Sequence, residues 1–341
     1  MKRINIAAVL LLLFAVNGMG QNYPHYTQYI INNYILNPAL TGIENYTDVK
    51  ISHRHQWLGF TGNPRATYLT IHGPIGKKDY RTDNITSFRV PGENPRGRNY
   101  WEDYTAAAPH HGVGLTVQDM KAGFFNFFKA KGTYAYHIGI APKTSLAAGV
   151  AAGVSMVSID KEAIKFNNVA DPTLGNASGE LQKLKPELDL GVWLYSDRYY
   201  IGLSAMQLLP QKFKFADSGG NYGDKLKPHA FASAGYRFFL SDDVSLLPSV
   251  LAKYVPNTPT SQFDVNVKAQ YQDLLWLGAS YRFKYGYAAM IGVNVSNSFN
   301  VGYSYDYTTT RLNHFSRGTH EVVVGFILGN KYGDWCPRNV W

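Results

Sequence analysis

The chain has 341 residues, 33 Lys+Arg against 24 Asp+Glu (a formal charge of +9), and 45% hydrophobic residues, with 25 Tyr, 18 Phe and 32 Gly. One cysteine, Cys336, excludes a disulfide scaffold within the chain and leaves either a reactive thiol or a residue of unassigned role. The basic residues are scattered over expected strands and turns, and no binding module is recognisable, which argues against nucleic acid as a partner.

The first twenty residues, "MKRINIAAVLLLLFAVNGMG", read as a secretory signal peptide. Lys2 and Arg3 form the basic start, Ile4 to Val16 the apolar core, and Gly18-Met19-Gly20 the small-x-small ending before Gln21. The competing reading, an N-terminal anchor, needs about 18 apolar residues and the run is shorter. Cleavage would remove two basic residues and take the formal charge from +9 to +7. No cysteine follows the small residues to carry a lipid.

Residues 21–46, "QNYPHYTQYIINNYILNPALTGIENY", are rich in Tyr, Asn and Pro and do not alternate. So apolar a segment is expected to pack inside or beneath a larger structure, as a plug-like element. The run Asn37, Pro38, Ala39, Leu40, Thr41, Gly42 suits a structural role, because proline fixes its own φ and restricts the residue before it.

From residue 47 onward the recurring unit is about ten alternating residues closed by turn residues, the pattern of a transmembrane strand. No later stretch is apolar and long enough for a membrane helix; "LAAGVAAGV" (146–154) is short and suits a strand. The second half shows the alternation best. Phe263, Val265, Val267, Ala269 and Tyr271 share one face, as do Leu275, Leu277, Ala279, Tyr281 and Phe283. In "SNSFNVGYSYDYT" (296–308), Phe299, Val301, Tyr303, Tyr305 and Tyr307 oppose Asn300, Gly302, Ser304, Asp306 and Thr308. A soluble β-sandwich could also bury such a face. The gathering of Tyr and Phe at strand ends favours an outer-membrane barrel with lipid outside and a polar, wet lumen.

The fold class is therefore all-β, a transmembrane antiparallel barrel of about 14 strands over 47–329, followed by a tail, 330–341. The expected spans are 47–58, 64–74, 111–120, 124–139, 144–160, 186–196, 198–207, 228–240, 243–255, 260–272, 274–284, 286–296, 298–308 and 318–329. Connections at 196–198, 240–243, 272–273 and 296–297 are tight, and those at 161–185, 208–227 and 309–317 are long. That rhythm places the tight turns and both barrel ends in the periplasm. Residues 75–110 break it, as a long basic loop on the periplasmic side that folds into the lumen, meets a periplasmic partner, or hides a strand pair.

Little chemistry is legible. His53 and His55 share a strand face without a third ligand nearby in sequence. His110 and His111 point to opposite faces of a strand, or end a loop, and either placement argues against a paired site. Asp103, Asp119, Asp306, His314, Ser316 and His320 form no nucleophile motif or paired-carboxylate spacing, so no catalytic residue, metal or cofactor is expected and the chain does not read as an enzyme.

"HYTQYIINNYILNPALTG" followed by "RHQWLGFTGNPRATYLTIHGPIG" resembles the N-terminal pattern of the PorP/SprF family of Bacteroidetes outer-membrane proteins. Gln56-Trp57 after the Asn-Pro-Ala-Leu-Thr-Gly run is the specific part. "HGVGLTV" (111–117), "AYHIGI" (135–140) and "CPRNVW" extend the likeness, while 77–109 resemble an insertion. The resemblance implies a barrel of the type IX secretion and gliding machinery that binds the C-terminal domain of a secreted adhesin and supports its export or surface retention. It also implies other secretion components, some periplasmic, as partners, besides outer-membrane lipid. Loops 161–185 and 208–227 offer the binding surface, with Phe213, Phe215 and Tyr222 as aromatic anchors, or are simply solvated. A porin-like channel and a structural subunit on periplasmic rings are the other functions this barrel fits.

Overall fold

The structure is a computed structural model that describes residues 26–59, 61–77, 104–159, 182–209, 211–212, 225–256, 261–272, 274–296 and 298–329. Fourteen antiparallel strands close into a barrel. The first six are β1 (Thr47–His55), β2 (Arg65–Ile75), β3 (His110–Ala122), β4 (Phe125–Ala141), β5 (Thr144–Ile159) and β6 (Gln182–Ser196). Next come β7 (Tyr199–Met206) and β8 (His229–Tyr236), the latter resumed after Arg237 by Phe238–Phe239. Six more follow: β9 (Val244–Tyr254), β10 (Gln262–Tyr271), β11 (Leu275–Arg282), β12 (Gly286–Ser296), β13 (Phe299–Thr308) and β14 (Thr319–Leu328).

Each strand pairs with its neighbours in sequence, and β14 returns to β1 in register from Thr47↔Leu328 to His55↔His320. Closure leaves no sheet edge in the lipid, where an unpaired backbone group costs several kcal/mol. A two-residue ribbon, Gln211–Lys212 with Lys225–Leu226, stands apart from the barrel.

Side-chain parity sorts each strand into a wall and a lining. Ile51, Leu115, Leu203, Val265, Leu277, Ile291 and Val322 are exposed on the outer wall. Lys50, Arg54, Thr70, Lys131, Glu187, Asn266, Ser304 and Glu321 are buried on the lining. The tyrosine face of 296–308 therefore meets lipid. Tyr271, Tyr281, Phe283, Tyr287 and Tyr307 sit exposed near strand ends, where amphipathic rings suit the interface.

The two ends of the barrel differ. Tight connections link β4 to β5, β6 to β7, β8 to β9, β10 to β11 and β12 to β13 at one, the turn end, where β2 also ends and β3 begins. At the opposite, loop end β1 and β2, β5 and β6, β7 and β8, β9 and β10, and β13 and β14 stand further apart in sequence, while β3–β4 and β11–β12 are joined by the tight turns 123–124 and 283–285. Lys284, expected as a strand residue, instead turns the chain there with a φ of 65°. Residues 182–185, expected in a loop, extend β6. Spanning takes about 9–11 residues. The 17, 16 and 15 residues of β4, β5 and β6 overrun that length and stand beyond β7 at the loop end, since Ala205 near the close of β7 pairs with Leu190.

Candidate functional site

The lumen is filled by the chain's own N-terminal segment. Every residue from Tyr26 to Ile43 is buried. Without a strand partner, the segment folds on itself in three short 3-10 turns, Gln28–Ile31, Asn33–Ile35 and Pro38–Leu40. Short turns of this kind satisfy some backbone groups internally and leave the rest for the wall.

The segment runs the length of the barrel. At the loop end, Thr27 donates its backbone N–H to Glu321 Oε2 (2.8 Å) and its hydroxyl to Asp306 Oδ2 (2.6 Å). Arg54 ties the knot, donating to Thr27 Oγ1 (2.9 Å), Glu321 Oε2 (2.9 Å) and Asp306 Oδ2 (2.6 Å). Arg282 lies 3.7 Å from Asp306 and 3.4 Å from Asp264. Further down, Asn266 donates to the Tyr29 hydroxyl (2.6 Å), Asn32 to Thr70 Oγ1 (3.1 Å), and Ser204 to the Leu36 carbonyl (2.6 Å). At the turn end, the Gly42 N–H donates to His72 Nδ1 (3.2 Å), the Thr41 carbonyl accepts from His137 Nε2 (2.8 Å), and Lys77 donates to the Ile43 carbonyl (2.6 Å).

Apolar packing fills the space between. Tyr29, Ile30, Ile31, Ile35 and Leu36 pack with Phe231, Leu251, Trp276, Met290 and Val323. Leu40 and Ile43 pack with Ala147, Trp193, Tyr195 and Tyr200. A fully buried Ile or Leu contributes about 1.5–3 kcal/mol, so burial of these side chains outweighs any single polar anchor.

The Asn37–Gly42 run does the closest fitting. The Asn37 side chain caps its 3-10 turn by accepting from the Ala39 N–H (2.9 Å) and donates to the wall carbonyls of Val192 (3.1 Å) and Leu203 (3.2 Å). Pro38 opens that turn with a φ it already holds, and Ala39 and Leu40 are buried in it. The wall is cut away to receive it. A Cβ on Gly112 would overlap the Thr41 carbonyl, and one on Gly191 would overlap Asn37 Oδ1. Glycine inside a strand marks such a backbone approach. Two substitutions separate the roles of Asn37. Asn37→Asp keeps the cap acceptor and loses both wall donations, while Asn37→Ala loses all three bonds. Thermal unfolding in detergent is expected to show a loss of about 1–3 kcal/mol for Asn37→Ala, and a larger loss for Asn37→Asp, whose buried carboxylate would face the Val192 and Leu203 carbonyl oxygens.

Gln56 and Trp57, paired in sequence with that motif, lie elsewhere. They form the loop-end turn after β1, with Gln56 N–H donating to the Pro64 carbonyl (2.9 Å) and Trp57 N–H to Thr319 Oγ1 (3.2 Å). Trp57 holds a φ of 51°, and Leu58 exchanges backbone bonds with residues 317 and 318, docking this turn on the β13–β14 loop. Phe213, Phe215 and Tyr222 lie outside the described residues, as do Cys336, the signal segment and most of 75–110. His110 is buried inside, stacked on His137 at 4.6 Å, whereas His111 faces out against the Tyr134 hydroxyl. His53 and His55 share the outer face and bond Thr67 and Asn63.

Ionic clusters on the lining are not visible in any one strand's alternation. On β4 and β6, Lys129 meets Glu187 (2.8 Å) and Lys131 meets Asp189 (2.6 Å). They reach across Ala151, Gly153 and Ser155 of the intervening β5, whose small side chains leave room. Gln207, in a left-handed conformation, joins both carboxylates. The second cluster is the Arg54 knot with Asp264 and Arg282. At the turn end Lys50 pairs with Asp48, beside His72. There too, burial pushes the Glu44 carboxyl up to about 7, Asp48 adding to the push while Lys77 and Lys50 oppose it. These charges are spent on one another and on the N-terminal segment, so they do not form a single-sign filter.

The sequence pattern of the family described as type IX secretion system membrane protein PorP/SprF matches residues 18–326. The chain belongs to this family. Membership makes it an outer-membrane component of type IX secretion and implies other secretion components as partners. No curated protein matches the chain. Among solved structures, the Ralstonia pickettii toluene transporter TbuX is similar, with a TM-score of 0.49 and 8% identity over 92% of this chain and 96% of that one. The Acinetobacter baumannii outer membrane protein Omp33 has a TM-score of 0.44 and 8% identity over 84% and 100%. CymD, a monoaromatic hydrocarbon channel, has 0.45 and 11% over 91% and 94%. These likenesses concern barrel architecture alone.

Proposed function

We propose that this PorP/SprF barrel binds the C-terminal domain of a secreted adhesin at its loop end, facing the exterior, and supports that protein's export or surface retention in the secretion and gliding machinery. The observation that carries the reading is the filled lumen. A barrel whose interior is taken up from loop end to turn end by residues 26–46 has its ends and outer wall left for partners. Paired lumen charges support the same reading, because a passive uptake channel would draw on unpaired charge along an open path. The proposal involves no catalytic step and no cofactor.

The test is affinity purification of the tagged barrel from outer membranes, with mass spectrometry of what remains bound. A large secreted protein is expected, held through its C-terminal domain and lost when 161–181 and 213–224 are shortened, which leaves β6 and the Gln211–Lys212/Lys225–Leu226 pairing intact. Recovery of periplasmic components alone, unchanged by shortening those loops, would contradict it in favour of a structural subunit.

A further inference from the structure

On the outer wall at the loop end, four basic residues stand side by side on adjacent strands. His320 of β14 pairs in register with His55 of β1, His55 with Arg65 of β2, and Arg65 with Lys121 of β3. All four have the outward parity of their strands; Arg65 and Lys121 are exposed, and His55 and His320 half-buried. At the usual strand spacing the row spans about 14 Å.

The rows beneath it change character in order. One level toward the middle lie His53, Thr67 and Asp119, again in register. The next level is Ile51, Leu69 and Val117, fully apolar. Hydrocarbon, interface and charge thus follow within a few residues, as they do in a lipid leaflet. Asp119 is the one carboxylate on the outer face of these four strands. Like charges directly opposite one another on a sheet are unfavourable, and Arg65 directly opposes Lys121. An anionic headgroup lying along the row complements the positive charge that Arg65 and Lys121 bring together. Tyr303 and Tyr305 flank it, Tyr303 bonding His320 Nδ1 at 2.6 Å, so the row runs into the aromatic belt rather than into open solvent.

We infer that the β14–β1–β2–β3 sector is a docking site for a phosphate-bearing membrane lipid, its headgroup on the His320–His55–Arg65–Lys121 row and its chains along Ile51, Leu69 and Val117. The occupant is a lipid because the charge sits at the edge of an apolar band; a soluble acidic partner would find only the row. The site is independent of adhesin capture. It draws on the orientation proposed above only in the choice of lipid, since an exterior-facing loop end meets the glycolipid leaflet.

Native mass spectrometry of the purified full chain in detergent tests this, with diphosphoryl lipid A, its dephosphorylated form, or inorganic phosphate added. Each basic group near an anionic lipid contributes about fivefold, so the double variant Arg65→Gln/Lys121→Gln is expected to retain diphosphoryl lipid A about 25-fold less than the native chain. Dephosphorylated lipid is expected to bind both proteins weakly and equally. Equal retention of the two lipids, or a variant that retains the phosphorylated lipid as well as the native chain, would overturn the inference. So would displacement by millimolar inorganic phosphate, which would mark a free-anion site, or an acidic protein copurifying through this row. Heat-modifiable gel migration confirms that the variant barrel is closed, and none of these outcomes depends on whether an adhesin binds.

Discussion

Replacing Arg54 by Ala is expected to destabilise the barrel by about 3–5 kcal/mol, the cost of removing one partner from a buried ionic network. Arg54 is 3% exposed, Glu321 fully buried and Asp306 8% exposed, so the carboxylates of the knot have little water to replace the guanidinium. Arg282, at 3.7 Å from Asp306, offsets a small part of the loss. The consequence is local as well as global. Thr27 loses a donor at the loop end of the N-terminal segment, and the Glu321 and Asp306 carboxylates lose the guanidinium that links them. The double variant Arg54→Met/Glu321→Gln is expected to recover part of the stability, because it leaves one carboxylate, Asp306, beside Arg282 without Arg54 where the single variant leaves two. Urea unfolding in detergent, followed by tryptophan fluorescence, measures both. An Arg54→Ala barrel as stable as the native one would show that the knot is solvated and adds little.

Gly112→Val is expected to leave the barrel closed and expel the N-terminal segment. Valine suits a strand, so β3 itself gains by local preference. Its side chain would occupy the place of the Thr41 carbonyl, and a backbone atom on a proline-containing turn has no rotamer by which to move aside. Overpacking a fitted site typically costs 1–3 kcal/mol, and overlap with backbone costs more. The segment lacks Lys and Arg between Tyr26 and Tyr46, so a chymotrypsin-class protease is the probe. Cleavage at Tyr29, Tyr34 or Leu36 is expected in the variant and not in the native protein. A variant as protected as the native chain would mean that β3 shifts instead. Loss of heat-modifiable migration would mean that the seat is needed for the barrel to form.

The barrel was legible because lipid imposes a strict test on sequence. Each strand must show an apolar outer face, and Phe263 to Tyr271 or Tyr287 to Val295 do so without a break. Strand ends were less legible where the chain leaves the lipid. Residues 182–185 were expected in a loop, because above the membrane their outward face is no longer required to be uniformly apolar. The fate of 26–46 was legible in outline, since so many Tyr, Ile and Leu residues must be buried somewhere. Its seat was not. Gly112, Gly149 and Gly191 fall on the polar parity of their strands and were available as a sign of close backbone approach, but nothing in the sequence says which segment approaches. The Lys129–Glu187 and Lys131–Asp189 pairs show the same limit. Both members alternate correctly along their own strands, yet they meet across an intervening strand, and only register brings them together.

Conductance of the native barrel in a planar bilayer tests the central claim most directly, that the lumen is occupied by the chain's own N-terminal segment. A closed baseline is expected from the native protein, with discrete conductance steps appearing when Gly112→Val displaces the segment. Steady ion-conducting steps from the native protein would contradict the account and leave a channel in place of a binding barrel.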